Sequence, residues 1–349
     1  MRIIDRMQNE KKSTKWLIDS RRNGTLIVDN SYQRNYVWSL KDQIKLIETI
    51  LLGFSIPEIY LHEKLINPDN GDAVTSIIDG QQRIGAIFDF INDEFSLQAR
   101  YLKSSEYSFV DKNFSELSPT EKAIIWSYPF SSRVIGSDVN REDIVELFLR
   151  LNATDKSLNP QELRNAEFNG EFVKLAERVS EMEFWKKIFS PSRIRRMYDI
   201  EFISQILVYF RFGIENDLNQ ETINKAYAMF NDDYPKKEED FIRFEEIINT
   251  LEKLSDFSDI LRYMKKVTHL YALIIVTDYF LQNDIDFSEE IINRLNIFSK
   301  KIVGELNSDL KPTEESSIEE YLHLSLEGTK RKSNRIKRVN ILKNFILEV

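Results

Sequence analysis

The chain has 349 residues, more than one hydrophobic core usually needs, so two packed units are expected. Its 42% hydrophobic and 12% aromatic residues, with only 10 Gly and 8 Pro, exclude a disordered chain. The absence of cysteine excludes disulfides, thiolate metal sites and thiol catalysis, and a net charge of −9 argues against a uniformly basic surface for nucleic acid.

The first half of the sequence predicts strands interleaved with helices. Ser39 can cap a helix whose first turn contains Asp42, and apolar residues at helical spacing continue until Gly53. Two later apolar segments flank a dense turn signal, so we interpret them as paired strands. The expected elements are a helix around 16–18, a strand at 25–28, the helix from 39 to 53, strands at 56–61 and 73–78, and a helix that contains residues 84–91.

The second half is predicted to be almost wholly helical. Asn159 is a suitable N-cap, Pro160 fits the first helical position, and Glu162 completes an arrangement like a capping box. The other expected elements are a strand at 130–135 and helices at 141–151, 202–210, 241–254, 261–281 and 291–306. This order indicates an α+β fold, with a mixed α/β domain over residues 1–155 followed by a mostly α-helical domain over residues 156–349.

Positive charge is concentrated near the C-terminus, where residues 330–338 contain several Lys and Arg and no acidic residue. Such a run indicates either contact with nucleic acid or a solvated helix face. The sequence begins without an apolar signal segment, and no run of about 18 apolar residues occurs, so we expect a cytoplasmic protein without a membrane span.

The segment Asp79-Gly80-Gln81-Gln82-Arg83 follows an apolar strand and opens a helix. A glycine turn at such a place exposes backbone N–H groups at the positive end of the helix dipole, which attracts phosphate. Arg83 is a cation in the first turn, an unfavourable position unless an anion joins it. In the alternative, structural reading, Asp79 caps the helix, Gly80 relieves the turn and the rest is solvated. The segment is not a P-loop, because Ala86 stands where that motif requires Lys.

The segment 79–83 resembles the hallmark motif of the N-terminal domain of GmrSD-type restriction proteins, which the SspE proteins also contain. Three further stretches resemble the same family in the expected order. They are YQRNYVW at 32–38, LFLRLN at 147–152 with LNPQELRNA at 158–166, and EGT at 327–329 before the basic run. Four stretches in order, spread over nearly the whole chain, count against a chance resemblance.

The resemblance implies a ParB/sulfiredoxin-like fold and a nucleotide site. The family motif is associated with NTP hydrolysis, which implies an NTP and Mg²⁺ as cofactors. The implied catalytic residues are Asp79, Gln81, Gln82 and Arg83. The implied nucleotide-binding residues are Gly80, Arg83, Gln33, Arg34, Trp38, Arg150 and Asn152, and Asn152 is also the candidate magnesium ligand. If Arg83 serves the ligand, Arg83→Ala loses nucleotide binding while the fold survives.

DNA is the second partner that the resemblance implies. In the SspE proteins the stretch that corresponds to 32–38 is implicated in sensing modified DNA. The expected DNA-binding residues are Gln33, Arg34, Lys330, Arg331, Lys332 and Arg335. The structural alternatives are that Tyr36 and Trp38 pack into the core and that Arg164 forms a structural ion pair.

Two departures from the family restrict the mechanism. Sulfiredoxin chemistry needs a cysteine, and the chain has none. His62, His269 and His323 stand apart, with no paired His or carboxylate at metal-binding spacing, so we expect no His-Asn-His nuclease domain. A separate nuclease or effector subunit is therefore an expected partner, and an oligomer is compatible with the sequence.

The preferred functional hypothesis is a magnesium-dependent NTPase or NTP-gated switch in defence against foreign or modified DNA. The first alternative is a ParB-like regulator that binds nucleotide or DNA without hydrolysis. The second is a ParB-like nuclease, for which Asp79 and Glu58 are the nearby carboxylates, although they do not form a recognisable metal pair.

Overall fold

A computed structural model describes residues 3–29, 36–64, 71, 73–153, 158–304 and 312–348 of the chain. The chain divides into two compact units, Met1–Glu167 and Phe168–Val349. This division falls beyond residue 155, near which the sequence places the boundary. The reason is that the helix Pro160–Glu167 packs against the helix Arg141–Ala153 of the first unit.

The first unit is built on a five-stranded mixed sheet. Its strands are β1 (Met7–Ser13), β2 (Leu26–Val28), β3 (Ile59–Glu63), β4 (Thr75–Asp79) and β5 (Pro129–Ile135). The spatial order is β1-β5-β3-β4-β2, so β1 and β2 form the two edges. The β1/β5 and β3/β4 pairs are antiparallel, whereas β2/β4 and β3/β5 are parallel. The expected pairing of β3 with β4 is therefore confirmed.

Helices cover both faces of this sheet. They are α1 (Thr14–Arg22), α2 (Leu40–Leu51), α3 (Gln81–Ile91), α4 (Pro119–Ser127), α5 (Arg141–Ala153) and α6 (Pro160–Glu167), with short 3-10 helices at Ile3–Arg6, Ala99–Tyr101 and Phe114–Glu116. Successive strand residues point to opposite faces. Ile77 of β4 thus packs into the core formed with α1 to α4, while Ile78 packs into the smaller core formed with α5 and α6.

Two helix starts follow the sequence signals. Ser39 and Asp42 form a capping box at the start of α2. At the start of α6, Asn159 Oδ1 accepts from the backbone N–H of Glu162 at 2.9 Å, and Glu162 Oε2 accepts from the N–H of Asn159 at 2.7 Å. Side-chain oxygens thereby satisfy N–H groups that the first helical turn leaves unpaired. Both predicted helix starts are confirmed.

All the regular secondary structure described in the second unit is helical, in agreement with the almost wholly helical pattern that the sequence predicts. Its helices are α7 (Glu171–Ser180), α8 (Phe184–Ile188), α9 (Pro191–Arg195), α10 (Tyr198–Phe212), α11 (Gln220–Met229), α12 (Lys237–Leu254), α13 (Ser258–Met264), α14 (Val267–Gln282), α15 (Glu289–Ile302), α16 (Pro312–Leu326) and α17 (Lys332–Leu347). The expected helix at 261–281 is divided between α13 and α14. No helix within the described ranges is both long and apolar enough to cross a membrane.

Helix α14 is buried on nearly every side, and Asp278 interrupts its apolar sequence. Both carboxylate oxygens of Asp278 accept from Arg243, at 2.7 Å each, and Tyr209 Oη donates to Oδ2 at 2.6 Å. A buried charge is tolerated when it is paired and hydrogen-bonded. Asp278 therefore ties α14 to α12 and α10.

Asp199, in the first turn of α10, is a buried carboxylate for which the structure describes no arginine partner like that of Asp278. It is 3% exposed, and its Oδ1 atom accepts no hydrogen bond from the described residues. Burial raises the pKa of Asp199 to about 6, although backbone N–H groups of Ile200 and Asp199 oppose the shift. The pKa of Asp199 is higher in the folded state than in the unfolded chain, so the protonated form stabilises the fold. This stabilisation is fully present below about pH 4 and is lost as the pH rises through about 6.

We therefore expect the free energy of unfolding to fall between about pH 4 and pH 6 by roughly 1–3 kcal/mol through this residue. Asp199→Asn keeps the shape without the charge, so the variant should be more stable than wild type above pH 7 and similar near pH 4. Urea unfolding at several pH values measures this difference, with the exposed Asp217→Asn as control. Parallel pH curves for wild type and Asp199→Asn would contradict the assignment.

Candidate functional site

The turn between β4 and α3 requires a glycine. Gly80 has φ of +110°, a conformation that L side chains rarely adopt. A Cβ atom at this position would lie 2.6 Å from Cγ2 of the fully buried Ile59. Both the backbone angle and the neighbouring strand therefore exclude a side chain.

Gly80 is the N-cap of α3, so no side chain caps this helix. The helix runs over residues 81–91, and its amino end carries the positive end of the helix dipole. The chain reaches this end directly from the sheet, which confirms the predicted strand, glycine turn and helix. An anion placed here would be stabilised by the dipole and by backbone N–H groups.

Arg83 is held inside the protein rather than extended into solvent. It is 8% exposed; Nη2 donates to Asp79 Oδ2 at 2.6 Å, and Nη1 donates to the carbonyl of Pro57 at 2.7 Å. The anion that compensates this cation in the first turn is therefore Asp79, within the same segment. This pairing corrects the argument that the position of Arg83 by itself calls for a ligand.

Gln82 also makes contacts inside the protein. Its Oε1 atom accepts from the backbone N–H groups of Val37 and Trp38, at 2.8 and 3.0 Å, and so fixes the segment that leads into α2. Trp38 packs partly buried against the larger core of the first unit. The Tyr36 ring lies against Gly85 on α3, where a Cβ atom would be 2.6 Å from Cε2. These contacts agree with the structural alternative for Tyr36 and Trp38.

Gln81 differs from Gln82 and Arg83 because no hydrogen bond of its side-chain oxygen is found among the described residues. It is half-buried in the first position of α3, and its Oε1 atom is buried without a hydrogen-bond partner among the described residues. A buried unpaired carbonyl oxygen is unfavourable. The hydrogen-bonding capacity of this oxygen is therefore not used by the described residues.

Glu58 and Tyr60 lie beside this turn because Tyr60 pairs with Asp79 across β3 and β4. Glu58 accepts from Arg133 Nε at 2.9 Å, and this hydrogen bond lowers the pKa of Glu58 despite some desolvation. The carboxylate of Glu58 is thus already paired with a guanidinium. Among the residues that the structure describes, no three His, Asp or Glu side chains are grouped to hold a metal ion.

Comparison with protein families places this turn in a known context. Residues 14–169 match the family described as the N-terminal domain of the GmrSD restriction endonuclease. Residues 14–169 thus correspond to a GmrSD N-terminal domain. Searches of curated proteins and of solved structures found no significant match.

The GmrSD N-terminal domain ends close to the boundary between the two units and contains the segment 79–83. Several residues implied by the resemblance lie elsewhere. Gln33 and Arg34 fall outside the described residues. Arg150 on α5 is 77% exposed in its side chain and pairs with Glu146 at 2.6 Å. Asn152 Nδ2 donates to the carbonyl of Phe148 at 2.9 Å.

Neither Arg150 nor Asn152 is a described partner of Asp79 or Arg83, so their nucleotide and magnesium roles stay predictions. The stretch on α6 that resembles the family instead forms a buried polar group. Arg164, 2% exposed, donates from Nε to Gln161 at 3.0 Å. The burial of Gln161 was not foreseen, although its position one helical turn before Arg164 is a signal for such contact.

The basic run lies in the second unit, outside the GmrSD N-terminal domain, and it is less uniform than the sequence suggests. Lys330, Arg331 and Lys332 are exposed, but Lys330 lies 3.8 Å from Glu201 and Lys332 lies 3.4 Å from Glu215. Arg335 and Arg338 are each only 2% exposed. The burial of Arg335 does not favour the expected contact with DNA, which stays a prediction.

Proposed function

We propose that the GmrSD N-terminal domain of this chain binds a magnesium-bound NTP at the amino end of α3 and acts as an NTPase or NTP-gated switch in restriction-type defence against foreign or modified DNA. The observation that carries this proposal is the combination of an obligatory glycine turn with a helix end that no side chain caps. The phosphates would meet backbone N–H groups there.

The motif residues then divide into two groups. Asp79, Gln82 and Arg83 hold the turn and the adjoining segment in place, whereas Gln81, the first residue of α3, would lie beside the bound phosphates. The side chain of Asp79 is 35% exposed, so its carboxylate is partly accessible to solvent. The described residues offer no metal-binding cluster, and magnesium therefore enters this proposal as part of the NTP ligand.

Gln81→Glu tests the proposal because it separates ligand binding from folding. A carboxylate in the first helical turn interacts favourably with the helix dipole, so the melting temperature of the variant should be unchanged or slightly higher. The same carboxylate repels phosphate, and we expect NTP affinity to fall by about tenfold or more. Calorimetric titration with magnesium-bound ATP, GTP, CTP and UTP measures this loss.

The control is Gln8→Glu, which makes the same charge change at an exposed position of β1. This variant should bind the NTP as wild type does. Phosphate release, measured with and without DNA, then distinguishes hydrolysis from gating without hydrolysis. A wild-type protein that binds none of the four NTPs at millimolar concentration would refute the proposed function.

A further inference from the structure

The second unit contains a cavity of about 230 Å³ whose lining is strongly cationic. Its charged lining residues are Arg193, Lys330, Arg335, Arg338 and Glu201. Glu201 lies 3.8 Å from Lys330, which offsets one of the four cations. Three guanidinium groups are left facing the same small volume, an arrangement that raises the local concentration of anions.

The two buried guanidinium groups on α17 have no carboxylate partner among the described residues. Arg335 donates to Tyr271 Oη at 2.9 Å and to the carbonyl of Asn216, and Arg338 donates to the carbonyls of Leu324 and Thr329, both at 2.7 Å. All these acceptors are neutral. The Nε atoms of both arginines are buried without a hydrogen-bond partner.

Two other arginines of this unit that are largely withdrawn from solvent are paired with buried carboxylates. Arg243 pairs with Asp278, and Arg211 pairs with Asp240. Leaving a buried charge unpaired is costly, and an arginine cannot escape that cost by losing its proton under ordinary conditions. Burial lowers the pKa of Arg338, and the neighbouring Arg335 lowers it further. An anion would supply the charged partner that the described residues do not offer to these two guanidinium groups.

We propose that this cavity binds a small phosphate-bearing anion, such as inorganic phosphate or a mononucleotide. Arg335 and Arg338 supply charged donors, and the first turn of α14, which contains Val267 and Thr268 and has no side-chain cap, supplies a second favourable field. The stretch at 327–329 precedes the lining residue Lys330, and Thr329 itself lines the cavity. A volume of this size excludes duplex DNA as the ligand.

The cavity is lined by residues of the second unit and the turn at Gly80 belongs to the first, so different variants test the two proposals. The experiment uses the full chain in phosphate-free buffer, with calorimetric titration of sodium phosphate and of AMP against sodium chloride at matched ionic strength. Wild type should bind phosphate saturably. Arg335→Met and Arg338→Met should each lower the affinity by roughly 10- to 100-fold, since each loses charge-assisted hydrogen bonds.

Lys330→Gln covers the case in which a buried variant fails to fold, because this position is exposed; its affinity should fall several-fold. Arg331→Met, exposed and next to it in sequence, is the matched control and should bind as wild type. Tighter binding of AMP than of phosphate would identify a nucleotide as the source of the phosphate, and equal binding would identify the free anion. The proposal is overturned if wild type binds neither anion, if Lys330→Gln and the folded arginine variants bind as wild type does, or if binding depends on Gln81 instead.

Discussion

Arg83→Ala lowers the free energy of unfolding of the first unit by about 2–3 kcal/mol, which corresponds to a fall in melting temperature of roughly 5–10 °C. The physical reason is that one side chain joins three segments. Arg83 on α3 binds Asp79 at the end of β4 and the carbonyl of Pro57 ahead of β3. Removal of the Arg83 side chain leaves the carbonyl of Pro57 without this donor. It also leaves the carboxylate of Asp79 without its cationic partner.

Thermal melting and urea unfolding of the full chain measure this effect. A double-mutant cycle with Asp79→Asn should show strong coupling, because residues in one charged hydrogen-bond network are not additive. Arg100→Ala, at an exposed position of the same unit, should change stability by less than about 0.5 kcal/mol. An Arg83→Ala protein that melts with wild type and loses only NTP binding would instead assign Arg83 to the ligand.

Gly80→Ala destabilises the first unit by about 2–5 kcal/mol and abolishes NTP binding. The backbone angle alone costs an L residue about 1–2 kcal/mol, and the contact of the new Cβ atom with Ile59 adds a packing cost of about 1–3 kcal/mol. β3 and the amino end of α3 must then move apart. This movement displaces the backbone N–H groups that we propose to bind the phosphates.

Gly53→Ala separates the two contributions. Gly53 also has a positive φ, of +75°, but a Cβ atom there would meet nothing within 4 Å. This variant should show only the backbone cost and keep NTP binding. Urea unfolding and calorimetric titration of both variants make the comparison, and equal losses in Gly80→Ala and Gly53→Ala would contradict the role of Ile59.

Local signals were sufficient to predict the strand, the glycine turn and the helix at residues 75–91. Capping residues and apolar periodicity act over a few positions, and both are visible in the sequence. The partners of Arg83 were less accessible, because the carbonyl of Pro57 approaches only after β3 pairs with β4. For that reason the sequence alone indicates a solvated or a ligand-binding side chain for a charge in a first helical turn.

The basic run shows a signal that was present but outweighed by its charge. Arg335 and Arg338 lie three residues apart and share helical spacing with Leu342 and Phe345, which are buried on the same helix. Positions at i, i+3, i+7 and i+10 lie on one face. The apolar periodicity of α17 therefore indicates that both arginines point inward, as the structure has them. The charge of the run indicates a solvated helix face instead. β1 was missed for the opposite reason, since its sequence MQNEKKS has no apolar alternation and its pairing with β5 is made by the backbone.

The edges of the sheet have a consequence for the behaviour of the protein at high concentration. β2 offers only three residues, and β1 presents Gln8, Asn9, Glu10, Lys11 and Lys12 along its length. An open strand with unpaired backbone groups recruits strands from other molecules, but lysine and glutamate oppose that approach because they would have to be desolvated or brought against like charges. The described part of the sheet thus carries its own protection against amyloid-like stacking.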